Sequence, residues 1–162
     1  MILMEKVSID IFANTNPAFC SLILHSFCQG YYTVKGKGVT FPLLLLPIPI
    51  ILSNDLAPSF DGTNVKTGFL SWVKKNPFLT IGLSDRIESA YNIIKPGIAF
   101  ACSKSILEVN SKGEFFPKDD ALKNYVNVVE LSKLYKNAYR LGQWLGEINS
   151  TKTIYNHLGI SL

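Results

Sequence analysis

Cys20, His25 and Cys28 fall within nine consecutive residues, and sulfur and imidazole ligands at short spacing are how proteins hold zinc. Here the spacing defeats the chemistry. The segment reads as one helix, and eight residues along a helix are roughly 12 Å of rise. A single ion with metal–sulfur bonds of about 2.3 Å cannot collect both thiolates, and a disulfide is equally out of reach. Cys102 has no local partner, so all three cysteines read as reduced, buried thiols. His25 reads as a core or rim histidine. Gly30 followed by Gly36-Lys37 suggests a phosphate loop, but five residues separate the glycines where a Walker loop has four. Gly38 stands where the hydroxyl residue belongs, and the loop follows a helix instead of a strand. Asp119-Asp120 and Glu108 are carboxylates without a nearby histidine or cysteine, and a charged loop accounts for them. The expectation is a chain with no catalytic, metal or cofactor site.

Basic residues offer a different chemistry. Lys133, Lys136 and Arg140 share one face of a periodic segment, and Lys74-Lys75 form a pair, with Lys35 and Lys37 next. These are candidate contacts to a phosphate backbone or an acidic partner; otherwise such a face is simply solvated. The net charge of +4 permits phosphate contact without requiring it.

The chain of 162 residues is long enough for one domain with a core. Hydrophobic residues are 48% and charged residues only 17%, a dry balance that points to apolar surface covered by another chain. The most apolar stretch, "FPLLLLPIPIIL" (41–52), tests as a membrane span and fails. A spanning helix needs about 20 apolar residues, whereas Val39 to Leu52 is only fourteen residues long, Thr40 among them, and is bounded by Lys37 and Asn54-Asp55. Pro42, Pro47 and Pro49 each remove a backbone donor. The stretch reads as a helical turn after Pro42, then an extended buried segment from Ile48 to Leu52. At the N-terminus, Glu5, Lys6 and Asp10 interrupt "MILMEKVSID", which is then no secretory signal, so the expected location is the cytoplasm.

The elements follow from caps and periodicity. Asn16 as N-cap and Pro17 at the first helical position open a helix with few polar side chains, Ser21, His25, Ser26 and Gln29, so it is buried nearly all round. "GYYTVKGKG" ends it in a glycine-rich loop. "TNVKTGFLSWVKKN" reads as a helix capped by Thr63 or Asn64, with Val65, Phe69, Trp72 and Val73 inward. "LSDRIESAYNII", capped by Ser84, is a second, Lys95-Pro96 a turn, and "PGIAFACSKS" a third. "ILEVNSKGEFFP" supplies two strands around Ser111-Lys112-Gly113. Three helices and a hairpin are the layout of a winged helix-turn-helix. The third helix, however, offers only Ser103, Lys104 and Ser105 to a DNA groove, and Glu108 and Glu114 offset Lys112 and Lys118 on the wing. Beyond "KDDALKN", Leu131, Leu134-Tyr135, Ala138, Leu141-Gly142 and Leu145 mark an amphipathic helix, and a short helix capped near Ser150 ends at Gly159.

Together "NPAFCSLILHSFCQGY", "FPLLLLPIPIIL", "LSWVKKNPFLTIGLSDRI", "KPGIAFACSKSILEVNSKGEFF" and "LGQWLGEINSTKTIYNHLGI" resemble the middle component of three-component ABC ATPase systems. These are bacterial conflict loci, among them the Lamassu anti-phage systems. The firmer marks are Asn16-Pro17, Pro42, Pro47, Asn76-Pro77 and Gly159. The resemblance implies a hetero-oligomer with an SMC- or Rad50-like ATPase and an effector, often a nuclease. This chain would be the accessory subunit joining them, and DNA would be met weakly or through the complex.

The expected fold is therefore mainly α with a small β component: a winged helix-turn-helix-like core (54–117), an N-terminal buried helix with the proline-rich segment (1–53), and a C-terminal amphipathic helix (118–162), all in one domain. The expected function is that of a non-enzymatic adaptor, with a DNA-binding winged-helix regulator as the alternative. Phe115 and Phe116, consecutive on a strand, point to opposite faces. One of them needs cover from outside, as do Tyr155 and Leu158 on the last helix, so these four are the candidate partner contacts.

Overall fold

The computed structural model describes residues 16–118 and 129–161. Asp119-Asp120, the N-terminal "MILMEKVSID" and the side chain of Leu131 lie outside the described part. The protein is mainly helical with one small antiparallel sheet.

Helix α1 (Pro17–Lys35) opens as its caps require. The Asn16 carboxamide oxygen accepts from the amides of Ala18 at 3.0 Å and Phe19 at 3.3 Å, with Pro17 in the first turn. It does not stop at Gly30. It runs on to Lys35 and ends at Gly36, whose left-handed φ of 69° lets its N–H reach the Tyr32 carbonyl at 2.8 Å. Because α1 is apolar on most sides, it becomes the central element. Helix α6 (Val129–Gly146) packs along one flank, α5 (Leu83–Ser103) along another, and the sheet covers part of the remainder.

Close approach explains the glycines of this pair. A methyl carbon on Gly142 would overlap the Phe27 carbonyl, and one on Gly146 would lie 3.0 Å from the Tyr31 carbonyl oxygen. The two helices thus meet backbone to backbone.

After β1 (Val39–Thr40), the proline-rich stretch forms two short helices, α2 (Phe41–Leu44) and α3 (Pro47–Ile51). The helical turn at Pro42 is as expected; the extended segment from Ile48 is not. Pro47 and Pro49 both sit in the first turn of α3, where amides have no helical acceptor, so their missing donors cost nothing there. The stretch is core, with Leu43, Leu44, Leu46, Ile48, Ile50 and Ile51 all buried.

From Ala57 the chain makes two 3-10 turns (Ala57–Phe60 and Val65–Thr67) before α4 (Phe69–Lys75). The expected single helix from Thr63 is broken at Gly68, whose φ of 75° and ψ of 157° suit neither helix nor an L side chain. Asn64 therefore caps only the second turn, and Val65 is exposed instead of inward. Phe69 and Trp72 do face the core. A third 3-10 turn (Pro77–Thr80) leads to α5. Gly82, not Ser84, is its N-cap, and Tyr91 is exposed.

The expected turn at Lys95-Pro96 is absent: α5 continues straight through it. Lys95, Pro96 and Asn92, whose carbonyl would accept from residue 96, are all exposed, so water can donate to the carbonyl that Pro96 cannot. Ile94, Gly97, Ile98 and Ala101 on the opposite face are buried, and packing there decides the conformation. Gly97 lies directly against Cys20.

The hairpin is as read, with β2 (Leu107–Val109) and β3 (Glu114–Pro117) antiparallel and Val109 opposite Phe115. The Asn110 side chain accepts from the amides of Lys112 and Glu114, and Gly113 takes φ 77°. β1 then adds to the far side of β3, pairing Val39 with Phe115, which gives the order β1-β3-β2. The last helix, α7 (Thr151–His157), is capped by Ser150 as expected, and Gly159 follows at φ 77°. One hydrophobic cluster, from Phe19 to Leu158, draws on every α-helix and β-strand described above.

Candidate interaction surfaces

Phe115 and Phe116 point to opposite faces of β3. Phe115 is buried, whereas Phe116 is half-buried on the outer face, its ring edge-on to Tyr32 at 5.8 Å. Tyr32 is exposed and belongs to the last turns of α1. Phe116, Tyr32 and the exposed Phe41 make the sheet end a partly apolar surface. Its charges are mixed, since Lys118 pairs with Glu108 at 2.9 Å and Glu114 stands one residue from the Phe pair.

The expectation for Tyr155 and Leu158 is corrected. They are only 3% and 1% exposed, and the cover they need comes from within the chain. The Tyr155 hydroxyl donates to the Pro42 carbonyl, tying α7 to the start of the proline-rich segment. Sequence alone did not show that α2 would lie against α7.

The basic face of α6 is partly engaged. Lys133 pairs with Asp61 at 3.5 Å, and the Arg140 guanidinium donates to the Thr63 hydroxyl at 3.2 Å. Both hold the 57–68 loop, whose Phe60 ring stacks on Trp144 at 5.8 Å and packs against Trp72 at 5.2 Å. The Trp144 indole N–H donates to the Asn64 carbonyl at 3.1 Å. Lys136 is exposed and has no ion pair among the described residues. It lines a groove of about 310 Å³ between α1 and α6, together with Arg140, Gln29, Gln143 and Tyr139. Of the other lysines, Lys35 donates to the Ile148 carbonyl at 2.9 Å, whereas Lys37, Lys74 and Lys75 are exposed.

His25 is buried, and its Nε2 donates to the Lys118 carbonyl at 2.7 Å, so it anchors the strand end to α1. No disulfide joins the cysteines of the described residues; Cys20 and Cys28 are buried and Cys102 is partly buried. Burial pushes the Cys20 thiol up to about 11. Cys28 is raised further by burial and by Cys102 nearby. A thiol with a raised pKa is a poor nucleophile at neutral pH. Among the described residues no group of three or more His, Cys, Asp or Glu is placed to hold a metal ion, and no helix is long and apolar enough to cross a membrane.

A surface that the sequence reading touched only through Lys74-Lys75 lies at the α4 corner. Leu70, Phe78 and Ile81 are all exposed there. The Phe69 ring meets His157 edge-on at 6.5 Å, and Gly159 sits against Thr80, so α4, the following 3-10 turn and α7 form one corner.

The fold and these surfaces define a mainly helical protein wrapped on one buried helix, with a small antiparallel sheet at its edge. The family model of the ABC-three component (ABC-3C) system Middle Component 3 matches residues 4–162, and the chain belongs to that family. It is thus an accessory component of a multi-subunit system, a role that implies partnership with the other components. Neither a curated protein nor a solved structure matches the chain.

Proposed function

We propose that this chain is a non-enzymatic adaptor that joins an SMC- or Rad50-like ATPase to an effector subunit in a bacterial defence complex of the Lamassu kind, acting in the cytoplasm. The observation that carries the reading is membership of the middle-component family over residues 4–162. The chemistry of the buried groups agrees with it: the thiols of Cys20, Cys28 and Cys102 and the phenols of Tyr135 and Tyr155 are all held protonated by burial, which suits packing and not nucleophilic attack.

The architecture also supports a winged-helix-like reading, with a different assignment from the one the sequence suggests. In that reading α1 is the first helix, β1 the first strand, α5 the third helix and β2–β3 the wing, the strand order being β1-β3-β2. The exposed side of α5 begins with Asp85 and Glu88, which disfavours a phosphate backbone, so the wing and its neighbours serve protein contact in this account.

Expression of the tagged chain with the genes that flank it tests the proposal. The expected result is stoichiometric recovery of an ATPase and an effector, while the purified chain alone neither hydrolyses ATP nor cuts nucleic acid. Metal-dependent cleavage by the isolated chain, abolished by a point substitution within it, overturns the non-enzymatic part. Recovery of the chain alone overturns the adaptor.

A further inference from the structure

From Gly62 to Ser84 the sequence holds Lys66, Lys74 and Lys75 and no aspartate or glutamate. The same stretch carries several of the most exposed large apolar side chains of the described protein. Ile81 is 73% exposed, Leu70 50% and Phe78 44%, while Phe69, Trp72 and Leu79 from the same segment are buried. The local folding explains why the first three stay outside. Gly68 and Asn76 bound α4 to seven residues, so Leu70 and Lys74, one turn apart, share its outer face. The 3-10 turn at Pro77–Thr80 then sends Leu79 inward and leaves Phe78 and Ile81 outside. The corner is held rigidly from beneath, by the Phe69–His157 edge contact, by Thr80 against Gly159 and by the Trp72 indole N–H on Ser59 at 3.1 Å. Single exposed apolar residues need no explanation, but a group of them on a braced corner does.

We infer that the α4 corner is a docking site for an acidic, amphipathic segment of a companion protein in the same complex. Its apolar residues would seat on Leu70, Phe78 and Ile81, and its carboxylates would meet Lys74 and Lys75. Charge complementarity selects this occupant. Lys74 and Lys75 are exposed and have no ion pair among the described residues, and the nearest carboxylates in the chain lie outside the stretch. Asp61 is engaged by Lys133, and exposed Asp85 lies beyond Ile81, at the start of α5. The corner is therefore basic at the α4 end and not at the α5 end, which orients the segment: acidic residues over α4, apolar residues toward Ile81. A second copy of this corner would oppose lysine to lysine. A nucleic acid would leave the apolar side chains uncovered.

This inference rests on the adaptor reading, and the experiment separates the two. Tagged chain is co-expressed with its flanking genes as wild type, Leu70→Asp, Ile81→Asp, Lys74→Glu with Lys75→Glu, and Lys74→Arg with Lys75→Arg. Circular dichroism and melting confirm that each variant is folded; Ile81→Asp, at the most exposed position, guards against a folding defect at Leu70. The expected result is that one companion binds the two aspartate variants and the double glutamate variant about tenfold more weakly or worse. The double glutamate variant should also lose the salt dependence of association, and the arginine variant should keep both. Equal retention of every companion by all variants overturns the corner and leaves the adaptor standing. So does a loss confined to DNA affinity or to self-association of this chain. Failure of the wild type to retain any companion overturns both.

Discussion

Gly30 of α1 and Tyr139 of α6 approach so closely that a methyl carbon on Gly30 would overlap the Tyr139 carbonyl oxygen. The contact is backbone against backbone, so no rotamer change can relieve it. A helical Gly→Ala change ordinarily gains up to about 1 kcal/mol of propensity. Here overpacking, on the order of 1–3 kcal/mol or more, acts against that gain and wins because the two helices must move apart along their whole contact. Gly30→Ala should therefore lower the urea midpoint, with a net loss of about 2 kcal/mol. An unchanged or raised midpoint would show that the two helices part freely.

This contact also shows where the sequence was legible. Asn16-Pro17, Ser150 and Ser111-Lys112-Gly113 announce themselves because their effects are local: a cap, a first turn and a hairpin turn each act within four residues. Gly30 and Pro96 were misread for one common reason. Both residues ordinarily interrupt helices, and only a partner helix decides otherwise, Tyr139 demanding the absent side chain of Gly30 and Cys20 receiving Gly97 beside Pro96. Tyr155 and Leu158 were read as needing cover from a partner, whereas their cover lies within the chain but remote in sequence, at Pro42 for the hydroxyl. The α4 corner was half-seen. Its lysines stand out as charges, whereas the exposure of Leu70, Phe78 and Ile81 depends on Gly68 and Asn76 ending the helix on both sides.

The proline-rich stretch permits a graded test. Leu44 is fully buried, while neighbouring Leu45 is only partly buried at the edge of the core. An uncompensated carboxylate in the core costs several kcal/mol, comparable to the roughly 5–15 kcal/mol that holds a domain folded. Leu44→Asp should leave the protein insoluble or unfolded. Leu45→Asp should be milder, since its carboxylate can reach water. Soluble, folded Leu44→Asp protein with a native circular dichroism spectrum would contradict the packing described here.

Alkaline pH should unfold the protein in a defined window. Burial pushes the phenols of Tyr135 and Tyr155 up from 10.0 to about 12, and the Cys20 thiol up from 9.0 to about 11. In each case the unfolded chain loses its proton first. The stabilising effect is fully present below the unfolded pKa and is lost as pH rises through the folded one. Stability should be flat from pH 7 to near 9, then fall through 11 and 12, by roughly 2–3 kcal/mol for each group. Tyr155→Phe should remove one share of the alkaline loss. At neutral pH it should cost about 1 kcal/mol, because the Pro42 carbonyl loses its donor. Urea midpoints measured across this range, for wild type and variant, check both statements, and a midpoint independent of pH up to 12 would refute the first.

On α6 the structure divides three basic residues that look alike in the sequence. Lys133 and Arg140 brace the 57–68 loop through Asp61 and Thr63, so reversing either disturbs the fold's own contacts. Lys136 faces the groove between α1 and α6 and is the informative position for phosphate contact. Binding of the isolated chain to DNA should be weak, indifferent to sequence and steeply salt-dependent, because only scattered cations can meet the backbone. Lys136→Glu should weaken that binding equally on unrelated sequences and reduce the slope of log affinity against log salt by about 1, with the melting temperature unchanged. Fluorescence anisotropy over a salt series measures the slope directly. A slope that Lys136→Glu leaves unchanged would assign the α6 face to solvent or to a protein, and the phosphate contact to Lys37 or to the lysines of α4.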